Sequence, residues 1–379
     1  TGVILYMGSY TNTGHVGDPS SVTIPPLERG ICNSTFKVRS SSNLNDNQHY
    51  VNIVCDTRHD ASMQFDGNAL PTSGTSVSDN YILHHFPVTP GVHHIENEEG
   101  PFVAYAYGAG SWESYAYPLG IAIDTLPEEQ QACQRGNGQG RDFWATFLCN
   151  DDDPANSALS LIATGAQQAS VTVTNPVTGW TQTASMPAGG KVQINLPVAS
   201  TIPSGQTHNI GYHITSTAPV TLYACNFKEG SWDFAQVFPT FAIGDNYIVQ
   251  NYTNNSDHPA NVAFVATENG TSLSMVLPCT VTGLSLPAGS QYTATLDSGQ
   301  SLMLRANPGG DFSGMEVSSN CKPFALFQGC AAGRVGDNGT NSGRDHFFEQ
   351  ALSPAMWGTE FVADASLNRS EGDRVVVTA

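Results

Sequence analysis

A segment built from a strand, a loop and a second strand recurs four times along the chain, and this recurrence constrains the fold more than any other feature. In its fullest copy, residues 214–250, Pro219 introduces an apolar strand, a loop carries Gly-Ser-Trp-Asp, and Pro239 precedes a second strand. The same order is repeated in residues 100–119 and 317–363, and a shortened copy occupies residues 5–38. A repeat of this kind predicts a tandem array of similar structural units.

A second strand element alternates with this segment. Its copies begin at Val51, Leu159, Val262 and Val375, which are separated by 108, 103 and 113 residues. About 100 residues is the size of a small β-sandwich domain, and period-2 apolar runs broken by Gly, Pro, Asn and Asp are typical of short antiparallel strands. The sequence therefore predicts an all-β fold of tandem antiparallel β-sandwich-like repeats. The alternative is a β-propeller-like array, because half-units of about 50 residues are the size of a propeller blade.

The charge balance narrows the classes of partner. The chain has 14 Lys and Arg against 33 Asp and Glu, a formal net charge of −19. Nucleic acids and anionic membrane surfaces are recognised by clustered Lys and Arg, so the sequence predicts neither as a partner. No apolar run approaches the roughly 20 residues that span a bilayer, so we expect no membrane insertion of this chain. Since the chain starts and stops inside repeat elements, we expect it to be part of a longer protein.

Eight cysteines occur, with no Cys-x-x-Cys pair and no zinc-finger spacing. An even number of cysteines in a β-rich chain with few charged residues favours disulfides in an oxidising, extracellular compartment. Their spacing suggests three pairs, with buried thiols as the alternative: Cys32–Cys55, Cys133–Cys149 and Cys321–Cys330.

Two groups of side chains are candidate metal ligands. His85 and His94 flank a predicted turn, and in a hairpin they would face each other closely enough to bind zinc or nickel. Asp151 and Asp153 lie in an Asn-Asp-Asp-Asp run, and residues 337–340 form an Asp-Asn-Gly-Thr run, both rich in the oxygen ligands of calcium. Turn formation explains these runs more simply, since neither has the ligand spacing of an EF-hand. The sequence predicts no cofactor, with calcium as the alternative.

Trp112 and Trp232 occupy equivalent loops in two copies of the repeat, and each is followed by an acidic residue. Aromatic side chains in such loops can anchor a binding partner, because they bury a large area at a low entropic cost. They can equally close the open end of a sandwich, which is the interpretation we favour.

The chain lacks the sequence patterns of common catalytic sites. It has no Gly-x-Ser-x-Gly elbow, no His-Glu-x-x-His pair and no phosphate-binding glycine loop. The sequence therefore predicts a protein that is not an enzyme.

Several phrases, in this order and spacing, resemble the N-terminal domain family of the IgG-Fc-binding protein, whose members include secreted bacterial and mucus-type proteins. The end of that domain is resembled by HYVNIV, PVTPGVHHIE and YGAGSWESYAYPLG, and its beginning and middle by Phe143-Trp-Ala-Thr-Phe, Ile214-Thr-Ser-Thr-Ala-Pro-Val and QALSPAMWGTEF. Residues 1–124 thus resemble the C-terminal part of one copy, 125–140 a linker, and 141–379 the N-terminal part of a second copy. This second copy would contain units at about 141–253 and 258–363 and the start of another at 373.

The resemblance implies a function at the cell surface or in secretions. We expect an extracellular, non-enzymatic binding or adhesion module that recognises a protein or glycan, of immunoglobulin or mucin type. The alternative is a structural spacer of a large secreted or cell-surface protein, with no ligand of its own.

Overall fold

The fold was described from a computed structural model, which covers residues 1–8, 17–39, 48–110, 113–122, 138–150, 158–197, 202–228, 230–252, 258–335, 343–367 and 372–379. Regular structure in these residues consists of β-strands and short 3-10 turns at Leu27–Arg29, Asp60–Ser62, Thr240–Ala242 and Pro354–Met356. The described part of the chain contains no helix that is long and apolar enough to cross a bilayer. The all-β prediction is confirmed.

The chain opens with a hairpin of two buried strands and continues into a first sandwich-like unit. The hairpin consists of β1 (Gly2–Met7) and β2 (Ser20–Thr23). The strands of the first unit are β3 (Asn33–Val38), β4 (His49–Asp56), β5 (Gln64–Phe65), β6 (Asn68–Ala69), β7 (Thr75–Ser76), β8 (Tyr81–Pro87), β9 (Gly91–Glu96), β10 (Phe102–Gly110) and β11 (Glu113–Pro118). They form one sheet in the order β11-β10-β4-β8-β7 and a second in the order β3-β9-β5-β6, with a shared apolar core.

The second unit is organised around one long strand that belongs to both of its faces. Its strands are β12 (Gly140–Ala145), β13 (Ala158–Gly165), β14 (Ala169–Thr174), β15 (Thr181–Met186), β16 (Gly190–Asn195), β17 (Gln206–His208), β18 (Tyr212–Lys228) and β19 (Ser231–Val237). The first half of β18 pairs with β12 and β14, and its second half pairs with β13 and β19. The apolar residues between these two layers form the largest core.

The third unit repeats the two-sheet arrangement. Its strands are β20 (Asn246–Ile248), β21 (Ala260–Ala266), β22 (Thr271–Val276), β23 (Gln291–Leu296), β24 (Ser301–Arg305), β25 (Glu316–Ser319), β26 (Phe324–Gly333) and β27 (Asp345–Gln350). One sheet has the order β17-β24-β21-β26-β27 and so includes β17 from the preceding segment, and the other has the order β20-β25-β22-β23, again around one core. Because each core lies between two β-layers, which are separate sheets in the first and third units and parts of one sheet joined by β18 in the second, the units are sandwich-like rather than propeller blades made of half-units.

The predicted repeat corresponds to four hairpins, β1–β2, β10–β11, β18–β19 and β26–β27. The alternating element corresponds to β4, β13, β21 and a last strand β28 (Arg374–Thr378), each paired antiparallel with the first strand of one hairpin. The register places Val51 opposite Ala106 and Val375 opposite Leu5. The chain's two terminal strands therefore form together the same three-stranded motif that the other units contain. The assignment of 1–124 and 141–379 to two family copies stays a prediction, and most of the predicted linker lies outside the described residues.

The second strands of the four hairpins, β2, β11, β19 and β27, contact one another around the centre of the molecule. They lie next to one another there without a shared backbone ladder, and buried carboxylates connect them. The backbone N–H groups of Trp232 and Ser114 donate to the two oxygens of Asp345, at 2.8 and 3.3 Å. The N–H of Phe348 donates to Asp233 Oδ2 at 3.1 Å. We call Asp18, Asp233, Asp345 and Glu349 the central carboxylates.

Candidate functional site

A cavity of about 590 Å³ lies between the first and second units. Its floor is the face of the second unit's sheet that β13, β16, β18 and β19 turn toward the first unit. Its wall is built by the end of β3 and by Tyr117 of β11. The cavity thus exists only because the two units pack together.

The alternation of side chains along a strand explains why the floor is partly polar. In β13, Leu161 points into the core of the second unit, whereas Ser160 and Ile162 face the first unit. Tyr223 lies opposite Ile162 on β18, and its ring packs against Tyr117 with the ring centroids 4.8 Å apart. One face of β13 therefore serves a core and the other serves the cavity.

Three cationic side chains, Lys37, Arg39 and Lys191, line this cavity. Among the described residues none of the three forms a salt bridge with a carboxylate, although the chain has 33 acidic residues. Partial burial and, to a smaller extent, the nearby charge of Lys191 lower the pKa of Lys37 to about 8. A negatively charged ligand would raise the pKa of Lys37 again, because it supplies the opposite charge that no described carboxylate of the protein provides in this cavity.

Arg39 is held by aromatic rings. Its guanidinium carbon lies 3.7 Å from the ring centroid of Trp232 and 5.2 Å from that of Phe234. One guanidinium nitrogen donates to the sulfur of Cys225 at 3.8 Å. Stacking of this kind fixes the plane of a guanidinium and leaves N–H donors at its edge, which is the geometry that binds a carboxylate or sulfate with two hydrogen bonds.

The lining supports binding rather than bond-breaking chemistry. Its neutral members add hydrogen-bonding amides, Gln193 and Asn195, and an apolar wall that includes Phe227. The lining contains one thiol, that of Cys225, and burial raises its pKa, so it stays protonated and weakly nucleophilic. An acidic group carried on a partly apolar scaffold fits this combination best.

Trp232 lies beneath the cavity and is fully buried, so it cannot touch a partner directly. It packs against Tyr115 of the first unit and Phe234 of its own strand, with ring centroids 6.1 and 5.1 Å away. Trp232 thus lies on strand β19 in the interior rather than in a loop, and it acts on the cavity through Arg39. The interpretation that these tryptophans close the open end of a sandwich stays a prediction. Trp112, Cys133, Asp151, Asp153 and the run at 337–340 lie outside the described residues.

The predicted pairing of His85 with His94 is wrong. The two histidines lie on β8 and β9, which belong to different sheets and do not pair with each other. His85 Nδ1 lies 3.0 Å from a carboxylate oxygen of Asp364, and His94 Nδ1 lies 2.9 Å from the Thr35 hydroxyl. The turn between these strands carries the chain from one layer of the sandwich to the other, so the two side chains do not converge.

The three predicted disulfides are also wrong. Cys55, Cys149, Cys321 and Cys330 are thiols rather than halves of a disulfide. Cys321 is exposed on a turn, whereas Cys330 is buried in β26, so closeness in sequence did not bring their sulfurs together. Disulfide bonding requires the Cβ vectors to converge, which spacing along the chain does not determine.

The cationic residues of the cavity were not found from the sequence. Lys37 and Lys191 are 154 positions apart, and neither belongs to a recognisable motif. The available signal was that a chain with only 14 basic residues places Lys37 and Arg39 on alternate positions of one strand end.

Comparison with known sequences gives one family. The profile of the family described as IgGFc binding protein matches residues 1–108 and 233–379. The IgGFc-binding protein of Homo sapiens is 24% identical over 262 residues, which cover 67% of this chain and 5% of that protein. The chain thus spans about one twentieth of the length of this curated relative.

Solved structures are only distantly similar. Hazelnut (Corylus avellana) vicilin is 9% identical with a TM-score of 0.18, covering 60% of this chain and 73% of that one. A bacterial ice-binding adhesin is 10% identical with a TM-score of 0.12, covering 87% and 95%. Scores this low do not indicate a shared fold.

Proposed function

Because the chain belongs to the IgGFc-binding protein family, we propose that it is an extracellular, non-enzymatic binding module that recognises an acidic group on a protein or glycan. The proposed partners are of immunoglobulin or mucin type, and the name of the human relative, IgGFc-binding protein, supports the first of these. The proposed binding site is the cavity between the first and second units.

The observation that supports this proposal most strongly is the group of unpaired cations. Lys37, Arg39 and Lys191 meet in one cavity of a chain whose net charge is −19. Gathering positive charges without a carboxylate partner destabilises a fold, so a ligand that supplies the missing charge gains affinity there. The overall negative charge also disfavours acidic molecules at most of the remaining surface.

Replacement of Lys37 and Lys191 by Met tests the site, because Met keeps the length of the apolar stem and removes the charge. We expect the double variant of the full chain to bind immobilised mucin or IgG Fc at least about tenfold more weakly, since a charged hydrogen bond contributes about 1.5–3 kcal/mol. The matched control is Lys322→Met, which removes a lysine of the third unit that donates to the Asn269 carbonyl.

The choice of surfaces separates the alternatives. Fab and albumin serve as reference proteins, and mucin stripped of sialic acid and sulfate tests the acidic group itself. Unchanged binding by the double variant would rule out the cavity as the site. A folded wild-type chain that binds none of the surfaces would instead favour the structural spacer.

The pH dependence of binding provides a second prediction. Since the pKa of Lys37 is lowered to about 8, its ammonium loses its proton as the pH rises from 7 to 9. We expect affinity for an acidic ligand to fall over this range in the wild-type chain and much less in Lys37→Met. Calorimetry at constant ionic strength measures this, because salt also weakens such contacts. Parallel pH profiles for the two proteins would show that Lys37 does not contact the ligand.

A further inference from the structure

A thiol, an imidazole and a carboxylate converge at one end of the first unit, away from the cavity. Cys55 lies near the end of β4 and His84 lies in the neighbouring strand β8, two residues along from the position opposite Cys55. Such diagonal neighbours share a face of the sheet, and long side chains can meet there. Asp60 reaches the same point from the 3-10 turn that follows β4.

The three groups present their ligand atoms to one another. Asp60 Oδ1 lies 2.6 Å from His84 Nε2 and 3.7 Å from Cys55 Sγ, and all three ligand atoms lie within 4.8 Å of each other. Cys55 and His84 are buried, whereas the Asp60 side chain is 27% exposed. The carboxylate therefore connects the cluster to solvent and gives an ion a way in.

The orientation of the His84 ring is set by the backbone. His84 Nδ1 lies 3.1 Å from the carbonyl oxygen of Thr72 and 3.3 Å from the hydroxyl oxygen of the same residue, and toward the carbonyl only the nitrogen can donate. With the Nδ1 proton directed at this carbonyl, Nε2 faces Asp60 Oδ1 at 2.6 Å, where either a proton or a metal ion can lie between the two atoms. Metal-binding histidines are characteristically oriented by such a bond from the other ring nitrogen to a carbonyl.

The backbone beside this edge of the ring requires a glycine. Gly74 has φ +70°, and a Cβ there would lie 2.4 Å from Ile82 Cγ2, 2.7 Å from His84 Cε1 and 2.9 Å from His84 Nε2. Any larger residue would therefore press on Ile82 and on the imidazole edge that carries Nε2.

We propose that Cys55, Asp60 and His84 bind a zinc ion, with three protein ligands and one open position. Thiolate, imidazole and carboxylate together suit Zn²⁺, which binds sulfur at about 2.3 Å and nitrogen or oxygen at about 2.0–2.2 Å. Tetrahedral ligands at these lengths are about 3.3–3.8 Å apart. The Cys55–Asp60 distance already lies in that range, and the partly exposed Asp60 is the ligand that moves to open its contact with His84.

Cobalt titration of the reduced, chelator-treated full chain tests this site. We expect one equivalent of Co²⁺ to give a thiolate-to-cobalt charge-transfer band and the visible bands of a tetrahedral site, and Zn²⁺ to displace it. Cys55→Ser should abolish the charge-transfer band, and His84→Gln should weaken binding by more than about tenfold. The controls, Cys321→Ser and His85→Gln, alter an exposed thiol and the adjacent histidine and should titrate like the wild type.

Thermal unfolding keeps the test valid if a variant is less stable. We expect Zn²⁺ to raise the unfolding temperature of the wild-type chain and of both controls, but not that of Cys55→Ser or His84→Gln. Absence of a charge-transfer band in the wild-type chain, or its persistence in Cys55→Ser, would overturn the proposal and leave His84 and Asp60 as an ordinary ion pair.

Discussion

Trp232→Ala is expected to lower the free energy of unfolding by about 3–5 kcal/mol, the usual cost of removing a fully buried large aromatic side chain. Trp232 is 0% exposed and belongs to the core of the first unit although its strand belongs to the second. Its loss would therefore open a void at the contact between the two units, where the surrounding strands are paired and can collapse only in part.

The same substitution should weaken the binding of acidic ligands in the molecules that remain folded. Without the indole, the guanidinium of Arg39 loses the ring that lies 3.7 Å from it. Cation–π contacts contribute about 0.5–2 kcal/mol, so the effect on affinity should be smaller than the effect on stability.

Urea unfolding, followed by tryptophan fluorescence and by circular dichroism, measures the first effect. Trp180→Ala is the matched control, because Trp180 lies in the same unit but is only partly buried. Trp180→Ala should lower the free energy of unfolding clearly less than Trp232→Ala does. Trp232→Phe should retain part of the stability, since a ring still fills the site. Wild-type stability in Trp232→Ala, together with lost binding, would instead make this residue a direct ligand contact.

The repeat could be predicted from the sequence because it depends on local sequence patterns. Proline, glycine and alternating apolar residues recur at matching positions, and each copy became a hairpin of the kind those signals favour. The sequence also showed the acidic residues that follow the two tryptophans, but it did not predict where their side chains lie in the fold. Glu113 and Asp233 both turn into the interior, since a strand at the centre of four hairpins has no solvent face.

The contacts between layers and between units could not be predicted from the sequence. The turn after β8 has the composition of a hairpin, yet it joins two sheets, because turn chemistry fixes a change of direction and not the strand that pairs next. Cys55 illustrates the consequence. The sequence predicted a disulfide between Cys55 and another cysteine, whereas the fold places Cys55 against Asp60 and His84.

Electrostatics at the centre of the molecule lead to a prediction about pH and stability. Burial raises the pKa of Asp233, Asp345 and Glu349 well above their ordinary values. Neighbouring acids add to this, since Asp18 and Asp233 act on Asp345, and Glu349 acts on Asp233. The folded state therefore favours the protonated form of these groups more strongly than the unfolded chain does.

The sign of the effect follows from linkage. A group whose folded pKa is raised contributes most to stability below its unfolded pKa, about 4 for these acids, and loses that contribution as the pH rises through the folded pKa. His346 opposes this trend at lower pH. Burial lowers its pKa to about 4, so its contribution is present above its unfolded value of about 6.5 and is lost as the pH falls toward 4. Stability should accordingly rise as the pH falls from 8 to 6.5 and reach its maximum on the acidic side of neutrality.

Glu349→Gln separates the contribution of one central carboxylate, Glu349, from the general repulsion of a chain with net charge −19. Glu349 Oε1 is buried without a hydrogen-bond partner among the described residues, so replacing the carboxylate by an amide breaks no hydrogen bond to that oxygen. We expect this variant to unfold several degrees higher than the wild type at pH 8 and to show a shallower rise between pH 8 and 6.5. About 1 kcal/mol shifts the midpoint of a domain of 150–250 residues by about 2–4 °C.

Asp56→Asn is the control, because Asp56 forms a salt bridge with Arg58 at the surface and its pKa is lowered instead. It should leave the slope above pH 6.5 unchanged. Calorimetric scans at each pH decide between the two sources of the trend. Equal slopes for the wild type and Glu349→Gln would show that Glu349 does not contribute to the trend. A steeper slope in the wild type would mean that the carboxylates that join the four hairpins also make the fold sensitive to pH. These groups accept hydrogen bonds from neighbouring strands, but when ionised they also place a charge in an interior that does not solvate it.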